Sequence, residues 1–448
     1  MPRNPETVST KRQRIATLAK QSPGMSFTSL AYLMDIDWLR EAFLRTRKDG
    51  APGVDGQTAA DYARDLDVNL ASLLERAKSG TYRAPPVRRA YIPKGKGETR
   101  PIGIPTLEDK ILQRAVVMLL EPIYEEDFLD CSYGFRPGRS AHNALESLWQ
   151  QTMDQKGGWI VELDIRKCFD HLDHAHLRNF LQQRVCDGVI QRLIGKWLKA
   201  GVLEDGNVHY PDEGSPQGGV VSPLMANIYL HEVLDKWFEH EVKPRLKDRS
   251  FVIRFADDAV LGFAGQRDAE RVLEVLPKRL ARYGLELHPE KTRIVPFRRP
   301  RLAKAGQRRE DERPGTFDFL GFTHFWGRSR KGHWVVTRKT AKDRFSRGLR
   351  RISAWCRHHR HESIKDQQRA LSQKLRGHYA YYGITGNAPR LAAFAYWAQR
   401  IWRKWLGRRG GRHYLPWYRF YRILARYPLP RPVVVHSVYP RRRSKSPA

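Results

Sequence analysis

The stretch that decides the fold is Phe251-Val-Ile-Arg-Phe-Ala-Asp-Asp-Ala-Val-Leu-Gly262, in which two apolar runs flank a pair of adjacent aspartates. The runs are rich in β-branched and aromatic residues, so the pattern predicts a tight β-hairpin with Asp257 and Asp258 at its tip. Two neighbouring carboxylates repel each other, and a hard divalent cation such as Mg²⁺ relieves that repulsion because it prefers oxygen ligands. An ordinary Asp-rich turn has the same sequence, so a metal site requires a further carboxylate.

That carboxylate is predicted in the segment Trp159-Ile-Val-Glu-Leu-Asp-Ile165. Its apolar residues alternate with Glu162 and Asp164, which indicates a short strand with both acids on one face. A strand that places Asp164 beside the hairpin would complete a three-carboxylate site. Two-metal phosphoryl transfer requires such an arrangement.

Basic residues dominate the composition, with 81 Lys and Arg against 48 Asp and Glu and a net charge of +33. No acidic residue follows Asp366. Such a chain is expected to bind a phosphate backbone through counterion release. A membrane-surface role is the competing interpretation, and the interleaved Trp and Tyr residues argue against it.

The sequence also bears on location. No apolar run approaches membrane-spanning length, and no secretory signal follows Met1. The four cysteines are scattered without C-x-x-C pairs, which indicates a reducing compartment and no zinc site. We therefore expect a cytoplasmic protein of the bacterial type, with no membrane partner.

Taken in order, the motifs resemble the group II intron-encoded reverse transcriptase/maturase family. The hairpin is similar to the Tyr/Phe-Ala-Asp-Asp box of reverse transcriptases, and Asp164-Ile-Arg-Lys-Cys-Phe-Asp170 is similar to their first palm motif. Between them, Gly214-Ser-Pro-Gln-Gly-Gly-Val-Val-Ser-Pro223 resembles the loop that contacts template and nucleotide. The resemblance extends from about Gly50 to Pro432, without a recognisable C-terminal endonuclease.

The resemblance implies an α+β fold with right-hand polymerase architecture: fingers, a palm with an antiparallel sheet, a helical thumb and a small basic C-terminal region. The expected domains are an N-terminal helical extension at 1–80, fingers at 81–157, the palm at 158–325, the thumb or maturase X domain at 340–400, and a basic nucleic-acid-binding region at 401–448. Apolar spacing predicts one amphipathic helix over Phe27–Arg47 in the extension.

The resemblance also implies catalytic roles. Asp164, Ile165, Asp257 and Asp258 would hold two Mg²⁺ ions, for which Mn²⁺ is a substitute. Lys291 matches a position thought to donate a proton to the departing pyrophosphate. A plain surface lysine is the alternative interpretation of Lys291.

The residues expected to contact the incoming nucleotide lie in three motifs. A glycine-rich basic hairpin at 88–100 can close over a triphosphate, because glycine permits close approach and the cations neutralise charge. An aromatic ring five residues after the first palm aspartate would clash with a 2′-hydroxyl and so select deoxynucleotides, with core packing as the alternative. The predicted set is Lys94, Arg100, Phe169, Gln217 and Gly218.

Further contacts to nucleic acid are expected from the loop at 131–139, from the helical region around 375–383 and from the basic C-terminus. Arginines and aromatic rings suit phosphate contact and stacking, although a helical core rich in Tyr and Trp has a similar composition. The predicted contacts are Arg136, Arg139, Arg376, Tyr379, Arg403, Arg408 and Arg412.

The resulting functional prediction is an RNA-directed DNA polymerase, a nucleotidyltransferase, with a maturase role in splicing and mobility of a group II intron RNA. Its expected partners are an RNA template, a DNA primer or target and deoxynucleoside triphosphates. Two alternatives stay open: a domesticated reverse transcriptase without an intron, for example in phage defence, and an RNA-binding splicing factor with little polymerase activity.

Overall fold

The computed structural model describes residues 7–95, 98–204, 207–209, 218–300, 314–410 and 414–437. Helices and strands both contribute to it, which agrees with the predicted α+β class. The α-helices are α1 (Val8–Gln21), α2 (Ile36–Arg45), α3 (Ala59–Ala63), α4 (Leu66–Ser79), α5 (Leu107–Asp127), α6 (Ala141–Asp154), α7 (His174–Gln182), α8 (Gly188–Leu198), α9 (Ser222–Leu230), α10 (Gln266–Ala281), α11 (Lys342–His358), α12 (Ile364–Tyr382), α13 (Ala388–Leu406) and α14 (Trp417–Arg426). The strands are β1 (Val87–Gly95), β2 (Glu98–Ile104), β3 (Trp159–Asp164), β4 (Val202–Glu204), β5 (Asn207–His209), β6 (Ser250–Phe255), β7 (Asp258–Phe263), β8 (Arg293–Pro296), β9 (Phe317–Phe319), β10 (Phe322–Arg328) and β11 (Trp334–Thr340).

The N-terminal region differs from the single helix predicted over Phe27–Arg47, and that prediction was wrong. Helix α1 precedes this range, and α2 begins only at Ile36. Asp35 sets this start, because its carboxylate accepts a hydrogen bond from the backbone N–H of Trp38 at 2.9 Å. The apolar residues that suggested the helix, Leu30 and Trp38 among them, are buried. The core residues were therefore identified correctly, but the helix boundary was not.

Strands β1 and β2 form the predicted basic hairpin. They pair in antiparallel register from Arg88 opposite Ile104 towards the tip, and their sheet has the order β2-β1-β4-β5. Helix α5 follows directly. Thr106 followed three residues later by Asp109 is a capping-box-like pattern, which predicts a helix start. The structure confirms it, because the Thr106 hydroxyl accepts a hydrogen bond from the N–H of Asp109 at 3.2 Å.

A second sheet has the strand order β6-β7-β3-β8. The sequence from Val221 to about Val242 predicts one long helix, and a helix is present there, but only its first part, α9, is α-helical. It continues as two π-helical segments, His231–Asp235 and Trp237–Val242. A glycine just after a predicted helix favours a left-handed cap, and Gly284, which follows α10, adopts this conformation with φ of 68°.

The chain divides into two compact units. Unit 1 comprises Met1–Ala144, Leu163–Ala259 and Glu270–Thr292, and unit 2 comprises Leu145–Glu162, Val260–Ala269 and Arg293–Ala448. Asp164, Asp257, Asp258 and Lys291 all belong to unit 1. The candidate site can therefore be described within a single unit.

Unit 2 contains a sheet of order β11-β10-β9 and a helical core built from α11 to α14. Trp402 is fully buried there, packs against Phe420 with ring centroids 5.7 Å apart, and donates to Oε1 of Gln367 at 2.9 Å. Helix α13 thus runs through residue 400, where the sequence analysis placed a domain boundary. The residues just beyond that boundary contribute to this core.

The cysteines and helices add two further observations. Cys131, Cys168 and Cys356 are buried thiols and Cys186 is exposed, and none of the four forms a disulfide. In the described part of the chain, no helix combines the length and the apolar character needed to cross a membrane.

Candidate active site

The chain reverses direction at Ala256 and Asp257, between β6 and β7. This corrects the predicted turn, because Asp258 is not at the tip but is the first residue of β7. The physical reason is the backbone of Ala256, whose φ of 58° lies in the left-handed region that tight hairpin turns use. Asp257 is half-buried and Asp258 is exposed, so the two carboxylates have different surroundings.

The loop containing Gly134 lies directly against this turn. A Cβ on Gly134 would stand 2.3 Å from the backbone nitrogen of Ala256, so only glycine permits this approach. The N–H of Tyr133 donates to the carbonyl of Arg254 at 2.9 Å, and the N–H of Arg254 donates to the carbonyl of Cys131 at 2.8 Å. The loop therefore pairs with β6 as a short additional strand would.

A fully buried guanidinium supports the turn from within unit 1. Each of the five N–H donors of Arg254 has an acceptor: the two oxygens of Asp235 at 2.7 and 2.6 Å, Oδ1 of Asn227 at 3.0 Å, Oγ of Ser132 at 2.7 Å and the carbonyl of Ala256 at 3.0 Å. Burial works against the charged form, but the Asp235 carboxylate raises the pKa of Arg254 above its ordinary value. Arg254 thus fixes the backbone immediately before Asp257.

Asp164 stands at the end of β3 and contacts Lys291. The Lys291 ammonium donates to Oδ2 of Asp164 at 3.0 Å, and the Asp164 carbonyl accepts a hydrogen bond from the N–H of His288 at 2.8 Å. The next residue, Ile165, is buried and forms an antiparallel bridge with Leu287. The predicted acid and the predicted proton donor are therefore in direct contact.

Asp257 is electrostatically coupled to this pair. Burial raises the pKa of Asp257 above its ordinary value and the Asp164 carboxylate raises it further, whereas the Arg100 guanidinium and the Lys291 ammonium oppose the rise. Two carboxylates near enough to repel each other fit a divalent cation, which would stabilise both charged forms. Among the described residues, no three His, Cys, Asp or Glu side chains are grouped closely enough to hold an ion. The electrostatic interaction between Asp164 and Asp257 is compatible with a shared cation, and the three-acid ligand set stays a prediction.

The glycine-rich loop is described from Gly218 onward. Gly218 has φ of 124°, and a Cβ there would stand 2.4 Å from the carbonyl oxygen of Gly103 in β2. Beyond it, the N–H groups of Val220 and Val221 donate to Oε1 of Gln113 at 2.7 and 3.2 Å. The loop is thus held between the basic hairpin and α5.

The side chain of Gln113 is itself positioned by the buried carboxylate of Asp109. The sequence indicated a role for Asp109 only at the start of α5. Nε2 of Gln113 donates to Oδ2 of Asp109 at 3.0 Å, and the Tyr82 hydroxyl and Trp197 Nε1 each donate to Oδ1 of Asp109 at 2.6 Å. Burial raises the pKa of Asp109 to about 6, against the opposing effect of these hydrogen bonds. A chain of hydrogen bonds therefore links the core to the loop.

The other predicted nucleotide contacts are placed as follows. Arg100 is exposed on β2, and Phe169 is half-buried in the 3-10 turn Cys168–His171. The side chain of Lys94 and the whole of Gln217 lie outside the described residues. The nucleotide-binding role of each stays a prediction.

Two predicted nucleic-acid contacts are corrected to structural positions. Arg136 is buried, pairs with Glu125 at 3.0 Å and donates to the carbonyls of Leu129 and Ser132. Tyr379 is buried in the helical core of unit 2. Neither side chain offers surface to a nucleic acid, because charge and aromatic character also serve packing.

The remaining predicted contacts are accessible to different degrees. Arg139 is half-buried and ion-paired, and Arg403 is half-buried with its guanidinium carbon 4.0 Å from the centre of a tryptophan ring. Arg376 and Arg408 are exposed. Arg412 lies outside the described residues. The exposed pair is therefore better placed for phosphate contact than the half-buried pair.

Comparison with known protein families gives the class of this chain. The family described as reverse transcriptase (RNA-dependent DNA polymerase) matches residues 92–324, more than half of the 448-residue chain. The matched range contains Asp164, Gly218, Asp257 and Lys291. The chain belongs to this family, as its motifs predicted.

Individual relatives narrow the relationship. The chain is 40% identical over 232 residues to Protein YkfC of Escherichia coli (strain K12), covering 50% of this chain and 61% of that protein. It is 36% identical over 283 residues to group II intron-encoded protein LtrA of Lactococcus lactis subsp. cremoris, covering 60% and 46%. It is 32% identical over 174 residues to Nuclear intron maturase 2, mitochondrial, of Arabidopsis thaliana, covering 30% and 24%. The chain spans about half the length of the first two relatives. The predicted similarity to group II intron-encoded proteins is confirmed.

Proposed function

We propose that this chain is an RNA-directed DNA polymerase whose active site is built on Asp164 and Asp257. The observation that carries the proposal is the charged cluster in unit 1. In this cluster the Lys291 ammonium donates a hydrogen bond to the Asp164 carboxylate. The Asp164 carboxylate raises the pKa of Asp257, and the Arg100 guanidinium lowers it. Family membership supports an RNA template and deoxynucleoside triphosphates as substrates.

Asp164 and Asp257 would hold a divalent cation, with Asp258 and Ile165 as the further proposed ligands of a two-Mg²⁺ site that also accepts Mn²⁺. When bound, such ions activate the attacking 3′-hydroxyl and neutralise charge on the transferred phosphoryl group. Burial raises the pKa of Asp257 and the Asp164 carboxylate raises it further, and a cation held by both carboxylates would offset both effects.

The chain's own side chains would transfer the proton and bind the nucleotide. The Lys291 ammonium, held by Asp164, is placed to give a proton to the departing pyrophosphate. The basic hairpin would neutralise the triphosphate, and the aromatic ring of the 3-10 turn would exclude a 2′-hydroxyl. The proposed nucleotide contacts are Lys94, Arg100, Phe169, Gln217 and Gly218.

We also propose a maturase role, in which the chain binds a group II intron RNA and assists its splicing and mobility. Similarity to group II intron-encoded protein LtrA and to the Arabidopsis nuclear intron maturase supports this role. In the proposed architecture, residues 81–157 are the fingers, 158–325 the palm and 340–400 the thumb. The interacting pair of Asp164 and Asp257 favours an active polymerase over a splicing factor that has lost catalysis.

The test is primer extension on an RNA template by the Asp257→Asn variant, which removes the charge and keeps the shape. We expect the rate of extension to fall by at least about 100-fold. Changing a residue that only supports a metal ligand already costs up to about 100-fold in affinity or activity, and Asp257 is proposed as a ligand itself. Affinity for the RNA should persist. Asp154→Asn, the same chemical change at an exposed end of α6, is the matched control. Near-normal extension by the Asp257 variant would refute the assignment.

A further inference from the structure

A broad groove in unit 1 shares no lining residue with the charged cluster of Arg100, Asp164, Asp257 and Lys291. It lies between the segment that precedes β1, helix α7 and helix α8, and its volume is about 620 Å³. Clefts of this size commonly bind ligands. We call it the α8 groove, and its charged lining residues are Arg83, Arg178, Arg192, Lys196 and Lys199.

Every charged residue that lines the α8 groove is basic. Many arginines of unit 1 are paired with acids, such as Arg184 with Asp127 at 2.7 Å. Among the described residues, in contrast, no ion pair involves any of the five groove cations. A cleft lined by one sign of charge concentrates its field and attracts the opposite charge. The groove is therefore suited to an anionic ligand.

Helix α8 and the residue that caps its C-terminal end, Lys199, supply three of these cations from one face. Arg192, Lys196 and Lys199 are spaced at i, i+4 and i+7, so they extend over about 10 Å along the helix. Like charges at such spacings destabilise a helix by about 0.2–0.5 kcal/mol per pair. A helix C-terminus favours cations in its last turn, but Arg192 lies in the middle of α8. A bound anion would offset this repulsion.

Lys196 also connects two of the segments that form the groove. Its ammonium donates to the carbonyls of Gly80 and Tyr82, which ties α8 to the segment before β1. That leaves Arg83, Arg178, Arg192 and Lys199, all exposed, as cations able to contact a ligand. Arg178, Arg192 and Lys199 belong to α7 and the end of α8, which form one side of the groove.

We propose that the α8 groove binds the sugar–phosphate backbone of a folded RNA. The row of cations extends over about 10 Å, so it can contact more than one phosphate of the same strand. The aromatic lining residue, Tyr82, is buried with its hydroxyl on Asp109, so it provides no platform for base stacking. Gln182 and Gln191 line the same groove, and amide side chains can bond 2′-hydroxyl groups. This inference rests on the proposed function, which makes RNA the ligand.

The experiment uses the full chain with Arg178→Gln, Arg192→Gln and Lys199→Gln combined, because glutamine keeps helix propensity while removing charge. The dissociation constant for a long folded RNA is measured across a series of salt concentrations. Each lost phosphate contact lowers the slope of log affinity against log salt by about 0.9, so the slope should fall by about 2–3. Extension of a short primer on a short RNA template should stay within about twofold of wild type.

The matched control removes the same charge from α10 and its end, with Arg271→Gln, Lys278→Gln and Arg282→Gln. These residues also belong to unit 1 and are exposed, but they do not line the groove. The control should leave the salt slope close to that of wild type. Equal changes in both triple variants would overturn the proposal, because they would reflect general charge alone.

Further measurements separate the alternatives. An equal loss of slope on a DNA duplex would overturn the assignment to RNA, and a raised KM for deoxynucleoside triphosphates with an unchanged RNA slope would show a nucleotide site instead. If the triple variant does not fold, Arg178→Gln alone should lower the slope by about 0.9, and an unchanged slope would overturn the proposal. A wild-type protein that binds RNA through the groove but extends no primer would refute the polymerase and not the groove.

Discussion

Replacing Arg254 by methionine tests whether the buried guanidinium holds the turn that carries Asp257. Methionine retains a long, flexible side chain but donates no hydrogen bond. All five donors of Arg254 are used, and both Arg254 and Asp235 are fully buried. The substitution therefore leaves the Asp235 carboxylate without its cation inside the core.

The expected loss of stability follows from that burial. Removing one partner of a buried ion pair costs about 3–5 kcal/mol, because an uncompensated charge remains. The acceptors on Asn227, Ser132 and Ala256 lose one donor each, and an unsatisfied buried acceptor adds about 1–3 kcal/mol. We expect the free energy of unfolding of Arg254→Met, measured with denaturant, to fall by at least about 3 kcal/mol.

A double variant separates stability from positioning. Arg254→Met combined with Asp235→Leu removes both charges, and replacing a buried ion pair by apolar residues is often neutral or stabilising by about 1–4 kcal/mol. Stability should therefore largely return. The carbonyl of Ala256 still lacks its donor, so kcat for primer extension should stay low, since displacing reacting groups by about 1 Å can cost about 100-fold. The Kd for primer–template should be unchanged.

Comparing the stability of the double variant with its kcat shows whether Arg254 also positions the turn. A double variant that regains stability and extends primers at the wild-type rate would show that Arg254 only fills the core. A change of less than about 1 kcal/mol in Arg254→Met alone would show that the buried pair is not the anchor.

Three further predictions concern separate parts of the candidate site. Replacing Phe169 by valine should raise the ratio of ribonucleotide to deoxynucleotide kcat/KM through loss of a steric clash, and an unchanged ratio would mean that the ring only packs. The pKa of Asp109 in the folded protein, about 6, lies above its ordinary value of 3.8, so the folded state loses stability as pH rises through that range. Relative to Asp109→Asn, the wild-type free energy of unfolding should fall by about 1–2 kcal/mol from pH 5 to 8, and parallel curves would contradict this. Gly218→Ala should raise the KM for nucleotide and lower the melting temperature, because its Cβ would meet the carbonyl of Gly103 at 2.4 Å; a variant equal to wild type would show that the loop moves freely.

Local patterns predicted those features whose causes are local. The cap of α5 at Thr106, the β1–β2 hairpin and the left-handed Gly284 depend on residues within a few positions of each other. Helix α1 was missed because it buries only Ile15 and Ala19, which leaves little apolar periodicity to detect.

Features set by distant residues could not be predicted in this way. The turn moved by one residue because Ala256 is held by Arg254 and approached by Gly134, which lies more than a hundred positions earlier. A lone arginine inside the apolar run of β6 was the available signal, since such a charge needs a buried acid. Nothing in the sequence identifies Asp235 as that acid. For Arg136 the residue type alone could not decide the role, because an arginine suits a nucleic-acid surface and a buried ion pair equally well.

The π-helical segment that ends at Asp235 has a consequence for changes in chain length. A π-helical turn holds more residues than an α-helical one, so deletion of one residue there can restore an α-helix without breaking it. The residues that follow would keep their orientation, because the residue removed is the extra one that the wider π-helical turn accommodates. A deletion in an ordinary α-helix would instead rotate every following side chain by about 100°. A chain shortened by one residue between Leu230 and Asp235 would therefore keep the Asp235 carboxylate facing Arg254 and retain the anchor of its turn.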